Sequence, residues 1–321
     1  MARSFIADTA PGLNICARSR SGSPRPRAEL TQTDAQDTAG RQKLVARSKQ
    51  VTAVGDGFVV CDVRCRAEER AWSPPEVAQG YVLVFVRQGS FCRRVNRAER
   101  FMDPVSAYFE TPGGEQQIAH PGPDGDACTA IELSADLAGV LADGEPARIG
   151  RPNLTPAATA LAVQLITRQA RNADRFELAE TITRLVSAAI SGSSPLPSRP
   201  RAATKTAWRR LVEGTRQILS CDPGASLHDL ACRQSVSPHH LSRVFHASTG
   251  MTISAYRNQL RVRAALERLA DGERSLTSLA ADLGFADHAH MARTVGRETG
   301  AAPSVLRRLL ATGNPPKTAV W

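Results

Sequence analysis

Ser226–Arg257, SLHDLACRQSVSPHHLSRVFHASTGMTISAYR, and Ser275–Arg307, SLTSLAADLGFADHAHMARTVGRETGAAPSVLR, are two copies of one pattern. Ser226, Leu227, Leu230, Ala231 and Val236 recur 49 residues later as Ser275, Leu276, Leu279, Ala280 and Phe285. After one extra residue, Leu241, Arg243, Phe245, Gly250, Ile253 and Arg257 recur 50 residues later as Met291, Arg293, Val295, Gly300, Pro303 and Arg307. A duplication of this length is one supersecondary unit used twice, and it governs how the rest of the chain is read.

Each copy spells helix, turn, helix. Ser226 is an N-cap candidate, and Leu227, Leu230 and Ala231 share one helical face. That helix ends near Gln234. Ser237-Pro238 opens the next, with Ser as cap and Pro at the first position. Leu241, Val244 and Phe245 form its buried stripe. His239, His240, Arg243 and His246 fall on or near the free face, and Gly250 is a left-handed C-cap candidate. In the second copy the turn is at Gly284 and the second helix runs from about Asp287 to Glu298. Met291 and Val295 point inward, while Asp287, His288, His290, Arg293 and Arg297 are outer-face candidates. A second helix of this kind lies in the DNA major groove with its early residues near base edges.

On the residues LACRQSVSPHHLSRVF, TGMTISAYRNQLRVRAALERLADG and SLTSLAADLGFADHAHMARTVGRETGAAPSVLR, the chain resembles the two-motif DNA-binding domain of the AraC/XylS family of bacterial transcription regulators. The resemblance covers about residues 205–311, a third of the chain. It implies double-stranded promoter DNA as partner, a homodimer, RNA polymerase contact in an activator, and a small-molecule effector. The second motif departs from the family pattern. Met291 and Val295 stand where aromatics are usual, Leu306 stands where a Tyr is usual, and Ala286 stands at the usual Ser/Thr cap. An Ala N-cap costs about 1 kcal/mol, so the second motif is expected to add affinity more than specificity.

The charge is distributed to match. Of a net +10, residues 205–311 carry +6, residues 1–50 carry +5 and residues 51–204 carry −2. A basic end beside a mildly acidic middle is the asymmetry expected when one domain meets phosphates. The seven cysteines are scattered, which fits a reducing cytoplasm better than a disulfide framework. No apolar run reaches the ~20 residues of a membrane span, and the N-terminus lacks a signal-peptide core.

Residues 1–50, with SRSGSPRPRAE, read as a disordered basic extension. From Val51 to about Leu133, short apolar runs alternate with turn signals. The strands expected are 58–63, 80–86, 91–95, 106–110, 116–120 and 128–133, with turns at 87–90 and 96–99. The run Tyr81–Val86 reads as buried on both faces. This pattern predicts a small barrel or jelly roll, and it resembles the cupin-like sensor domain of many AraC-type regulators. After loops at 144–156, two apolar-periodic helices follow at 156–171 and 174–190. Their stripes either cover the barrel or pair two chains, the latter being what the family resemblance implies. Ser191–Arg201, with three prolines, reads as a linker within 191–204. One long helix, 253–271, joins the two motifs and places Arg257, Arg261 and Arg263 either near phosphates or in solvent.

The reading is thus an α+β multidomain chain. A cupin-like β-barrel with a helical pair (51–190) is followed by a linker, an all-α double helix-turn-helix domain (205–311) and a tail (312–321). No catalytic residue, cofactor or metal is assigned. The barrel offers one histidine, His120, followed by Pro. Cys61, Cys65, Cys92 and Cys128 lack the tight pair spacing of a zinc site and read as small buried side chains. His288 and His290, at i and i+2 on a helix, point apart. Two alternatives are a protein similar to the DNA alkylation-repair methyltransferases, which would need an activated Cys, and an effector-independent DNA-binding protein.

Overall fold

The computed structural model describes residues 46–312 apart from 67–70, 96, 123–124, 143–152, 170–173 and 192–201. Strand β1 (Ala46–Gly55) turns at Gly57 into β2 (Phe58–Arg66). It starts five residues before the boundary expected at Val51, so residues 46–50 belong to the sheet. The rest of the predicted extension, residues 1–45, lies outside the described residues, as do most of the predicted linker and residues 313–321 of the predicted tail.

Eight further strands follow: β3 (Glu76–Val77), β4 (Tyr81–Gly89), β5 (Phe91–Val95), β6 (Ala98–Met102), β7 (Ser106–Glu110), β8 (Glu115–Ala119), β9 (Asp126–Leu133) and β10 (Asn153–Leu154). They form two antiparallel sheets, ordered β1-β2-β9-β4-β7-β10 and β3-β8-β5-β6. The strands β1, β3, β6 and β10 were not expected; β3 and β10 have two residues each and no readable period. The turn expected at 96–99 is shorter, because Ala98 and Glu99 already pair with Val95 and Arg94.

The apolar run on β4 is explained by what lies on either side of it. Val84 and Val86 join Val63, Cys128 and Ala130 in a core with Phe91 and Met102 of the second sheet. Leu83 and Phe85 face the other way, into a core with Phe58, Val60 and Ile131 and with two helices. With both faces covered, every position is apolar and the two-residue alternation disappears. Those helices are α2 (Ala157–Gln169) and α3 (Arg175–Ser191), preceded by the short α1 (Ala135–Leu141). Leu178, Ile182, Leu185 and Val186 of α3 cover the sheet, which is the first of the two roles open to that stripe.

The C-terminal part is all helical: α4 (Ala202–Cys221), α5 (Leu227–Arg233), α6 (Pro238–Thr249), α7 (Ile253–Ala270), α8 (Leu276–Asp282), α9 (His288–Thr299) and α10 (Pro303–Thr312). The first motif's core is Leu230, Leu241, Val244, Phe245 and Tyr256, and the second's is Leu266, Leu279, Met291, Val295 and Leu306. The stretch read as a linker does not divide two wholly separate cores. Ala157 and Leu161 of α2 sit in the second motif's cluster, while Ala162, Val163 and Ile166 of the same helix sit on the sheet. One helix with two apolar faces thus serves both parts.

Candidate nucleic-acid interface

The two helix pairs are built alike. Ser226 and Ser275 cap α5 and α8, and Ser226 forms a reciprocal capping box with Asp229. Its hydroxyl and backbone N–H hold the exposed Asp229 carboxyl below the usual range. The turns pass through one left-handed residue each, Ser235 (φ 55°) in the first motif and Gly284 (φ 71°) in the second. Gly250 and Gly300 then end α6 and α9 in the same conformation, at φ 72° and 77°.

Ser237 and Asp287 are the caps of α6 and α9, accepting from the backbone N–H of His240 and His290. The shortfall predicted from Ala286 therefore does not exist: the cap lies one residue later, on Asp287. Met291 and Val295 are fully buried, as are Leu241 and Phe245. Second-motif packing and capping are intact, contrary to expectation.

His239, Arg243 and His246 on α6 are exposed, as are His288, Arg293 and Arg297 on α9. Arg297 pairs with Glu298 at 3.0 Å. His240 and His290 are half-buried. His240 Nδ1 lies 3.4 Å from Arg243 Nη2. His290 turns back on its own motif, accepting at Nδ1 from the Ala286 N–H at 3.3 Å, with its ring edge-on to Phe285 at 5.5 Å. Ser237, Asp287 and His290 thus fix the helix starts rather than stand free.

Arg257, Arg261 and Arg263 of α7 are engaged within the protein. Arg257 donates to the carbonyl of Ala225, just before the Ser226 cap. Its repeat counterpart Arg307 donates to the carbonyl of Arg274, just before the Ser275 cap, at 2.6 Å. Each motif is therefore closed by an arginine from the following helix, a role that the Arg257/Arg307 alignment signalled and that a phosphate-contact reading missed. Arg261 lies over the Phe285 ring at 5.7 Å, and burial, then the neighbouring Arg257 charge, lower its pKa.

Behind the motifs, charged side chains join the helical part to the sheets. Arg216 of α4 donates to Asp103, on the loop between β6 and β7, and to Ser106 Oγ at 2.6 Å. Tyr256 of α7 donates to the same carboxylate. Burial alone would lower the Arg216 pKa, but Asp103 and Tyr256 outweigh it and raise it. Arg263 donates to the carbonyls of Pro104 and Thr155, and burial pulls its pKa down to about 10. Arg87 of β4 pairs with Asp62 and reaches Glu267 of α7 at 3.6 Å. No part of this joint was read from the sequence, because its partners lie far apart along the chain, Tyr256 and Asp103 by 153 residues and Arg263 and Pro104 by 159.

Residues 230–309 match the family model described as a helix-turn-helix domain. The chain is 31% identical to the HTH-type transcriptional regulator Rv1931c of Mycobacterium tuberculosis over 111 residues, 31% of this chain and 43% of that protein. It is 36% identical to the bifunctional transcriptional activator/DNA repair enzyme Ada of Escherichia coli over 84 residues, 26% of this chain and 23% of that protein. The chain therefore spans less than half the length of these curated relatives. Among solved structures, ToxT from Vibrio cholerae is similar over 79% of this chain and 99% of that chain, at 12% identity and a TM-score of 0.33.

Proposed function

We propose that this chain, whose residues 230–309 are a helix-turn-helix domain of the AraC type, is a sequence-specific regulator of transcription that grips double-stranded promoter DNA with α6 and α9. The observation that carries the reading is the matched exposure of Arg243 and Arg293 at aligned positions on two helices of the same build. An arginine in the major groove donates bidentately to guanine and discriminates by about 1–3 kcal/mol per contact. His239, His246 and His288 flank them as further readers, and Arg297 meets the backbone. Ser237 and Asp287 act through the helix ends they cap. Among the described residues no helix is long and apolar enough to cross a membrane, and we place the protein in the cytoplasm.

The sheet pair is the sensing part. Between the sheets lies a cavity of about 140 Å³, room for a small ligand, and the joint through Asp103, Arg216 and Glu267 connects its walls to α4 and α7. We read the chain as a homodimer that meets RNA polymerase where it activates, and as a regulator rather than an enzyme. Selection from random duplexes by the purified chain, followed by footprinting, tests this. An enriched motif that changes at single positions in Arg243→Ala is expected. Recovery without any enriched motif sinks the reading.

A further inference from the structure

The cavity between the sheets contains a cluster that the DNA-binding reading does not use. Cys65 and Asp126 stand opposite each other on β2 and β9, and Val63 opposite Cys128. The two-residue period therefore turns Cys65, Asp126 and Cys128 to the same side. His120, at the end of β8, meets them from the second sheet. His120 Nε2 lies 2.5 Å from Asp126 Oδ1, and Cys128 Sγ lies 3.0 Å from Asp126 Oδ2. One ligand atom each from Cys65, His120 and Asp126 falls within a 4.8 Å span. The backbone here has no room to drift. Gly125, at φ 66°, packs so closely on the Cys65 carbonyl that a Cβ would stand 1.9 Å from its oxygen.

A buried carboxylate is costly unless it is paired. The Asp126 and His120 side chains are 4% and 2% exposed, and among the described residues no Lys or Arg ion-pairs with Asp126. What surrounds the carboxylate is an imidazole and two thiols. This is the donor chemistry of zinc, which takes Cys, His and carboxylate ligands tetrahedrally at about 2.0–2.3 Å and so holds its ligand atoms roughly 3.3–3.8 Å apart. From the observed 4.8 Å span, the trio would close by about 1 Å at its widest while the 2.5 Å His120–Asp126 pair opens by a similar amount.

We propose that the cavity is a binding site for a thiophilic divalent cation of the zinc type, held by Cys65 Sγ, His120 Nε2 and an Asp126 oxygen. As the Cys65 sulfur takes the metal, its thiol proton leaves to solvent, so one thiolate and one carboxylate face the ion. The spacing of Cys65, His120 and Asp126 along the chain resembles no zinc motif, because the strand register and not the sequence gathers them. The proposal names the ligand class of the cavity. It rests on the sheet pair being the sensing part and not on DNA binding, so failure of either can be told from the other.

The test uses the full chain with Cys16, Cys92, Cys221 and Cys232 replaced by Ser, which leaves as thiols Cys65 and Cys128 at the cavity and the wholly buried Cys61. Among those removed is Cys232, whose Sγ lies 3.4 Å from His228 Nε2 on an exposed helix face. After chelation, Co²⁺ is titrated in anaerobically. One equivalent with a thiolate-to-cobalt charge-transfer band and tetrahedral visible bands is expected. Cys65→Ser should weaken binding by more than about tenfold with circular dichroism unchanged. X-ray absorption of the zinc-loaded parent should show one sulfur at about 2.3 Å with nitrogen and oxygen beside it. That measurement decides the matter even if a variant fails to fold. An all-oxygen-and-nitrogen shell, or a cobalt spectrum that survives Cys65→Ser, overturns the proposal.

Discussion

The guanidinium of Arg216, on α4, donates from Nη2 to Oδ1 of Asp103, on the loop between β6 and β7, across 2.9 Å. Asp103 is wholly buried and Arg216 nearly so, so this pair anchors a helix of the DNA-binding part to the sheets. Breaking a buried pair leaves one charge without compensation, at a cost of about 3–5 kcal/mol. Asp103→Ala should lower the unfolding free energy of the full chain by that amount in urea. Replacing both partners together, Asp103→Leu with Arg216→Met, should recover most of it. A loss under about 1 kcal/mol in the single variant would mean that water reaches Arg216.

Arg257 is predicted to act on the fold rather than on phosphate. Its Nη2 holds the Ala225 carbonyl, and a hydrogen bond to a charged group contributes about 1.5–3 kcal/mol. Arg257→Ala should reduce stability by that order and leave the salt dependence of DNA binding unchanged. A phosphate contact would instead reduce the slope of log K against log salt by about one. A change of slope without a loss of stability is the contrary outcome.

The two motifs should read DNA alike. The sequence suggested a weaker second motif because Ala286 occupies the expected cap, but Asp287 caps α9 and Met291 and Val295 are fully buried. Arg243→Ala and Arg293→Ala should each relax base preference at a distinct position by about 1–3 kcal/mol. Measuring both variants against a panel of single-base substitutions decides it. A uniform loss across all sequences in Arg293→Ala would restore the unequal reading.

Most of the helical part was legible because its signals are local. Ser226 and Ser237 cap where the sequence put them and Gly250 is left-handed where it was expected, and their repeat counterparts Ser275 and Gly300 behave alike. In the sheet pair, β2, β4, β5, β7, β8 and β9 were legible from short apolar or alternating runs between turn signals, while β1 and β6, with polar stretches at Arg47–Gln50 and Glu99–Arg100, were missed. Strands β3 and β10, of two residues each, have no period to read. The cavity cluster was passed over because Cys65, His120 and Asp126 become neighbours only through strand register. The joint at Asp103 was passed over because nothing near it in sequence hints at Arg216 or Tyr256. For Arg257 and Arg261 the sequence offered phosphate or solvent, and their charge gave no hint of the Ala225 carbonyl and the Phe285 ring that they meet.

Ser235 holds φ at 55° in a turn whose twin uses Gly284 at φ 71°. A non-glycine residue in the left-handed region costs about 1–2 kcal/mol, part of which glycine returns as unfolded-state entropy. Ser235→Gly should therefore raise stability by about 0.5–1 kcal/mol with DNA affinity unchanged. Destabilisation would show that the Ser235 side chain contributes something the backbone geometry does not reveal.

The last expectation concerns the helical part on its own. The proline-rich stretch before it reads as a linker, which would leave residues 205–311 as a unit of their own. In the folded chain, however, Ala157 and Leu161 of α2 complete the cluster formed by Val262, Leu266, Leu279 and Leu310. Cutting at Ala202 removes that cover and bares the apolar seam of α7 and α10. Fully burying one leucine contributes about 1.5–3 kcal/mol, and the alanine adds less. The fragment 202–312 should therefore fold but unfold at lower urea than the full chain, short by about 3 kcal/mol. The buried Arg216 and Arg263 lose their partners in the cut chain but return to water, so they add little to this difference. The fragment should also bind an apolar dye more strongly and DNA more weakly. Substituting Leu161→Ala in the full chain should reproduce part of the stability loss without removing any other element. Equal urea midpoints for fragment and full chain, with Leu161→Ala silent, would return α2 to the sheets alone and make the linker a true boundary between separate cores.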